Sequence, residues 1–174
     1  MRLSRRDFAK SLAMAPFALP PRAAATVAPP PTDVRIAEVR HGYEDWVYRA
    51  PYKFGGRVVD RVTILNVRCR VETRNGATAG GFGSMTLGNM WAFPSPTMSY
   101  DVTLEAMKSL AERIDRIAGG CREFGHPLDL ALVLEPEYLA AAADVSRAMK
   151  LDQPIPKLCT LVVASPFDAA VHDA

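Results

Sequence analysis

From Leu65 to Glu72 the chain alternates without a break. Leu65, Val67, Cys69 and Val71 lie on one face, and Asn66, Arg68, Arg70 and Glu72 on the other. Period two with one wet face predicts a strand of an antiparallel sheet. Cys69 then reads as a small core residue, not a nucleophile. Asn75-Gly76 follows and predicts a hairpin through a type I′ turn, in which both central residues take positive φ. The return strand, Ala77 to Met85, carries Gly80, Gly81 and Gly83. Upstream, Val34, Ile36, Trp46 and Tyr48 supply the apolar positions of a first strand over Val34–Tyr48. Between the two strands, Arg49–Val58 reads as a hinged loop. Pro51 biases Ala50 toward extended backbone, and Gly55-Gly56 frees the far side.

The pattern then changes to a helical period. Leu104, Met107, Leu110, Ala111, Ile114 and Ile117 form one stripe of a helix over Val102–Ala118, with charged residues opposite. Ser99 or Asp101 caps its start and Gly119-Gly120 stops it. Pro136 suits the first position of a second main helix reaching Met149, with a shorter helical turn at Pro127–Val133 before it. His126 has no second histidine nearby, which favours capping or a surface position over metal binding. Lys157–Ala164 reads as another helix. Ser165, Pro166 and Asp168 then read as a fresh helix start. Its apolar face, Phe167, Ala170, Val171 and Ala174, breaks off where the sequence ends, so the chain reads as truncated. Thr86–Pro96 is apolar but irregular, with Met90, Trp91 and Phe93 either packed beneath a loop or lining something.

Composition alters this picture in three places. The 174 residues carry a formal charge of +2. The first 25 hold Arg2, Arg5, Arg6, Lys10 and Arg22 against Asp7 alone, so the rest is net −2. Arg57, Arg61, Arg68, Arg70 and Arg74 are interrupted by Asp60 and Glu72, which reads as a solvated strand face and argues against a nucleic-acid partner. Cys69, Cys121 and Cys159 have no metal-site spacing and cannot all pair within one chain. Buried or free thiols are the default, and one disulfide is open to an exported chain. The glycines of the return strand are not followed by Gly-Lys-Ser/Thr or a helix start. They predict close backbone approach, not a phosphate cradle.

The first segment reads as an address. Ser4-Arg5-Arg6-Asp7-Phe8-Ala9-Lys10 resembles the twin-arginine export signal, with Arg5, Arg6, Phe8 and Lys10 in register, ahead of a short apolar run and an Ala23-x-Ala25 site. The resemblance implies a signal over 1–25, the twin-arginine translocase as partner, and a periplasmic or exported product. A Pro-rich linker, 26–33, follows.

The loop RAPYKFGG, the hairpin VTILNVRCRVETRNGATAGGFGSM and the ending PKLCTLVVASPFDAAVHDA, in that order, resemble the N-terminal capping domain of the enolase superfamily, mandelate racemase/muconate lactonizing branch. The resemblance implies an α+β domain over 34–155. A three-stranded antiparallel meander is followed by a small helical bundle, and 156–174 begins the junction into a TIM-type barrel that is absent from this chain. It further implies a Mg²⁺-dependent racemase, epimerase or dehydratase that removes the proton α to a small substrate's carboxylate. The Mg²⁺ ligands and the bases would lie on the barrel, leaving no catalytic residue and no bound metal in this chain, which alone would be inactive. Asp168 and Asp173 are assigned to a structural helix. Tyr52, Lys53 and Phe54 of the first capping loop, and Met85 near the second, become the candidate substrate contacts. The alternative is a non-catalytic exported interaction domain derived from such an enzyme. There, Phe167, Val171 and the GGFG strand would form an apolar patch that drives homo-oligomerisation.

Overall fold

The structure is a computed structural model and describes residues 32–54 and 56–174. The export motif Arg5, Arg6, Phe8 and Lys10, the predicted cleavage site and most of the Pro-rich linker lie outside the described residues. The chain forms an α+β domain in which a three-stranded antiparallel sheet precedes its helices. Strands β1 (Val34–Phe54), β2 (Arg57–Thr73) and β3 (Thr78–Thr86) lie in the order β1-β2-β3. Leu65, Val67, Cys69 and Val71 are buried as their alternation requires, and Arg68 and Arg70 are exposed.

Two turns differ from expectation. β1 does not end at Tyr48, and the segment read as a hinged loop is strand. Val34 pairs with Thr73, Tyr43 with Leu65, and Phe54 with Arg57, so the pairing continues to Phe54 and Arg57. Pro51, read as a loop signal, sits in an irregularity where β1 advances from Val47 to Tyr52 while β2 moves only from Arg61 to Val59. A bulge is one of the few places where a residue without an N–H fits a sheet. The β2–β3 hairpin forms at Asn75-Gly76 but is not type I′. Gly76 has φ 84°, and Asn75 is not among the residues with positive φ. Thr73 N donates to Ala77 O at 2.9 Å and Gly76 N to Thr73 O at 3.0 Å. This is a three-residue loop, a type I turn closed by a left-handed glycine.

The helices are α1 (Asn89–Ala92), α2 (Tyr100–Gly120), α3 (Pro127–Ala148) and α4 (Lys157–Asp173). Met107, Leu110, Ala111 and Ile114 bury the predicted stripe of α2, and the Ser99 side chain accepts from Val102 N as its cap. α2 runs through Gly119 and Gly120 before stopping. His126 caps α3 by accepting from Leu128 N at 3.2 Å. No helix among the described residues is long and apolar enough to cross a membrane.

Prolines expected to start helices lie inside them. α3 is one helix across Pro136, and the carbonyl that loses its partner there belongs to Leu132, a residue 67% exposed, where water can serve it. α4 is likewise one helix across Pro166. The carbonyl left without an N–H is Val162's, and the Ser165 hydroxyl donates to it at 2.9 Å. Ser165 therefore repairs a helix interior; it does not cap a new start.

α4 lies directly on the glycine strand. A Cβ on Gly81 would come within 1.9 Å of Ala170 O, and one on Gly83 within 2.0 Å of Pro166 O. The Cys69 thiol donates to Ala170 O at 3.0 Å, and Phe82 N, on the outer edge of β3, donates to Asp173 Oδ2 at 2.9 Å. Ala170 is buried in this contact, and Phe167 and Val171 are buried on the side of α4 that faces β1, α2 and α3. Of the apolar patch expected to drive dimerisation or aggregation, these helix residues are thus packed within the domain, while Phe82 stays 42% exposed.

Asp168 stands on the α3 side of α4, beside Tyr138. Burial, followed by the charge of Glu135, pushes its carboxyl up from 3.8 to about 6. Between those values the folded chain holds a proton that the unfolded chain has released, so stability falls as pH rises through this window. Linkage sets a ceiling of about 3 kcal/mol, and partial solvation of the carboxyl brings it nearer 1–2 kcal/mol. Asp168→Asn is expected to melt above the wild type at pH 7 and level with it at pH 4. Melting curves that stay parallel across that range contradict the assignment.

Candidate functional site: a cleft at the hairpin end of the sheet

The β1–β2 turn and the segment following β3 come together at one end of the sheet. Residues directly opposite in an antiparallel pair share a face. Tyr52 pairs with buried Val59 and Phe54 with Arg57, so all four point toward the helices. Lys53 pairs with Val58 on the opposite face. Tyr52 and Phe54 remain 47% and 45% exposed, which marks them as the accessible aromatic groups of this end. Met85 pairs with Leu65 and packs half-buried against the core, away from the cleft. The structure therefore brings Tyr52 and Phe54 together and leaves Lys53 and Met85 outside.

Residues 86–96 form the facing wall. Leu87 N donates to Thr63 O at 2.8 Å, tying the segment to β2. Asn89, only 2% exposed, gives its amide hydrogens to Tyr100 O at 2.8 Å and to Thr103 Oγ1 at 2.9 Å. A side chain on Gly88 would run into Trp91 Nε1, so only glycine lets the indole fold back here. Phe93 is core, whereas Trp91 is partly exposed and Met90 half-buried. The Ser95 hydroxyl accepts from Met98 N at 3.1 Å and fixes the last bend.

Two adjoining hollows result. The larger, about 250 Å³, is lined by Phe54, Arg57, Asn89, Met90, Phe93 and Ser95, among others. The Arg57 guanidinium enters it and donates to the Ser95 carbonyl. The smaller, about 50 Å³, lies among Tyr48, Tyr52, Arg61, Met90, Trp91 and Tyr100. Tyr48 and Tyr52 meet edge to face at 5.4 Å. Arg61 lies 4.7 Å from the Tyr100 ring and pairs with Asp101 at 2.7 Å. Burial raises the Tyr100 hydroxyl above its usual value, with Arg61 partly opposing, so it stays protonated and donates to Arg61 O at 3.3 Å.

Among the described residues, no Asp, Glu, His or Lys lines either hollow. The aromatic, thioether and guanidinium groups are suited to gripping a ligand, and the phenols of Tyr48, Tyr52 and Tyr100 are the titratable hydroxyls beside them. Nor do the described residues bring together three or more His, Cys, Asp or Glu side chains that could hold a metal ion. The donor set for Mg²⁺ is not met by these residues, and Asp168 and Asp173 serve the helix–helix and helix–strand contacts described above. Arg57, Arg61 and Tyr100 are not singled out as site residues by sequence, whereas Met90 and Trp91 line the hollows as one of the two expectations for Thr86–Pro96 had it. Arg57 and Arg61 had been pooled with Arg68 and Arg70 as one solvated face, but their parity with Val59 turns them to the helix side.

No model of a known protein family matches the chain, and no curated protein does. Among solved structures, the chain is similar to L-talarate/galactarate dehydratase from Salmonella typhimurium LT2, at 19% identity over 86% of this chain and 32% of that one, TM-score 0.47. It is also similar to L-talarate dehydratase from Polaromonas sp. JS666 complexed with Mg and L-glucarate, at 19% identity over 79% and 31%, TM-score 0.44. A third is the dipeptide epimerase from Methylococcus capsulatus complexed with Mg and a dipeptide, at 19% identity over 64% and 28%, TM-score 0.39. The chain spans about a third of the length of these proteins.

Proposed function

We propose that this chain is the capping domain of a Mg²⁺-dependent enolase-superfamily racemase, epimerase or dehydratase. The enzyme would act on a small carboxylate by removing its α proton, and Arg5, Arg6, Phe8 and Lys10 would direct it out of the cytoplasm by the twin-arginine route. One observation carries the reading. The β1–β2 tip and the segment after β3, the two places where such a cap meets its substrate, converge on one cleft lined by aromatic, thioether and guanidinium groups. Such a surface suits a cover that selects the substrate.

In this reading the metal ion and the bases are supplied by the barrel. The residues of this chain do three things. Tyr52, Phe54 and Trp91 lay apolar surface over the reacting centre and keep water from it. Arg57 and the polar rim orient the far end of the substrate. The anchors Asn89, Phe93 and Ser95 hold residues 86–96 in place, so that the cover presents a fixed shape. The test is Mg²⁺-dependent exchange of a substrate α proton with solvent, or its loss in dehydration, by the complete coding product, one carrying a barrel with spaced carboxylates and a Lys-x-Lys strand beyond Ala174.

A further inference from the structure

The two arginines of the cleft are in different electrostatic states. Arg61 is neutralised by Asp101 at 2.7 Å and covered by the Tyr100 ring. Arg35, Arg70 and Arg74 likewise have carboxylates within reach, in Glu72, Glu38 and Asp33. Arg57 lies within ion-pair distance of no carboxylate among the described residues. Its one protein hydrogen bond is to the Ser95 carbonyl, which carries no formal charge. A guanidinium has five N–H donors in a planar fork, so most of this fork is open toward the hollow.

The surroundings favour an anion there. Phe54, Met90 and Phe93 give the 250 Å³ hollow partly apolar walls, beside which a charge pair is stronger than in bulk water. Among the described residues, no acidic side chain lines the hollow to compete. Its volume falls below the roughly 300–1,000 Å³ of pockets that enclose a whole small molecule. It fits the charged end of a ligand whose remainder lies elsewhere.

We infer that Arg57 is a specificity-determining residue, holding a second carboxylate of the substrate at the end remote from the reacting carbon. This rests on the capping reading, and it assigns that site a substrate class, acids carrying two carboxylates joined by a short arm. The planar fork takes a carboxylate with two parallel hydrogen bonds, which a lysine cannot reproduce. The Ser95 carbonyl keeps the guanidinium in the hollow before the ligand arrives.

The 174-residue chain is titrated with glutarate while the side-chain Nε–H signal of Arg57 and the backbone amides of Phe54 and Ser95 are followed by NMR. The expected result is a saturable shift of all three. Arg57→Gln is expected to weaken glutarate binding at least about 10-fold, as loss of a charge-assisted hydrogen bond implies. Arg57→Lys keeps part of it, and Arg68→Gln, on the opposite sheet face, leaves it unchanged. A flat titration overturns the inference. So does a shift that survives in Arg57→Gln with the amide spectrum otherwise intact. If Arg57→Gln loses its fold, Arg57→Lys decides, because undiminished binding there contradicts a bidentate site. In the complete product the same substitution raises KM for a dicarboxylic acid and spares a monocarboxylic one. A product that neither exchanges an α proton nor dehydrates any acid removes the capping reading and leaves the glutarate titration standing. A flat titration beside an active product removes the Arg57 assignment alone.

Discussion

Gly83→Ala is expected to lose about 4 kcal/mol of folding free energy or to fail to fold, whereas Gly80→Ala, three residues away on the same strand, is expected to change stability by less than about 1 kcal/mol. The difference lies in what each Cβ meets. On Gly83 it would stand 2.0 Å from Pro166 O, 2.8 Å from Pro166 C and 2.9 Å from Ala170 N. Those are backbone atoms of a helix pinned by buried Phe167 and Val171, so no flexible side chain can move aside. On Gly80 the nearest atom is Cys69 O at 3.7 Å, an ordinary contact. Gly81→Ala should behave like Gly83→Ala, since its Cβ would meet Ala170 O at 1.9 Å. Urea unfolding checks the set. A Gly83→Ala protein within 1 kcal/mol of wild type would mean that α4 does not lie on β3.

The close packing of the glycine strand was legible because Gly80, Gly81 and Gly83 have no local use as turn or phosphate residues. What was not legible was the reach of the elements they touch. Pro166 and Pro136 read as helix starts because a helix interior normally loses a hydrogen bond at proline. The sequence does not reveal that Ser165 would serve the Val162 carbonyl at 2.9 Å, or that Leu132 would face water. The first is a local side-chain bond within α4 and the second is access of water, and each lowers the cost of a proline inside a helix.

The cleft failed in a similar way. Counting by two from Val47 puts Lys53 on the helix face and Tyr52 and Phe54 outside. The irregularity between Val47 and Tyr52 reverses that parity, and a one-residue slip exchanges the faces of everything beyond it. Met85 was named for its place after the glycines, yet its pairing with Leu65 turns it to the core. Arg57 was hidden by its basic neighbours. The usable signal was its even spacing from Val59, which the alternation of β2 already buries.

The second large effect is expected at the other end of the chain. Arg5→Lys with Arg6→Lys should stop delivery of the protein beyond the cytoplasm, while leaving the melting temperature of the folded domain unchanged. The substitution preserves charge, so a basic tail that acts only through net charge would tolerate it. A receptor that reads paired planar guanidinium groups in the Ser-Arg-Arg-x-Phe-x-Lys frame would not. Fractionation of cells expressing each form distinguishes these outcomes. Undiminished periplasmic delivery of the double variant contradicts the export assignment.

The capping reading itself stands or falls on proton chemistry. The complete coding product, incubated in D₂O with Mg²⁺ and a panel of mono- and dicarboxylic acids, is assayed by NMR for deuterium at the carbon α to a carboxylate. The reading predicts deuterium at the α carbon, or a 2-keto dehydration product that carries deuterium at the adjacent β carbon, with at least one acid of the panel, and loss of either on chelation of the metal. Unlabelled acids throughout the panel, from a folded product with Mg²⁺ present, would contradict it.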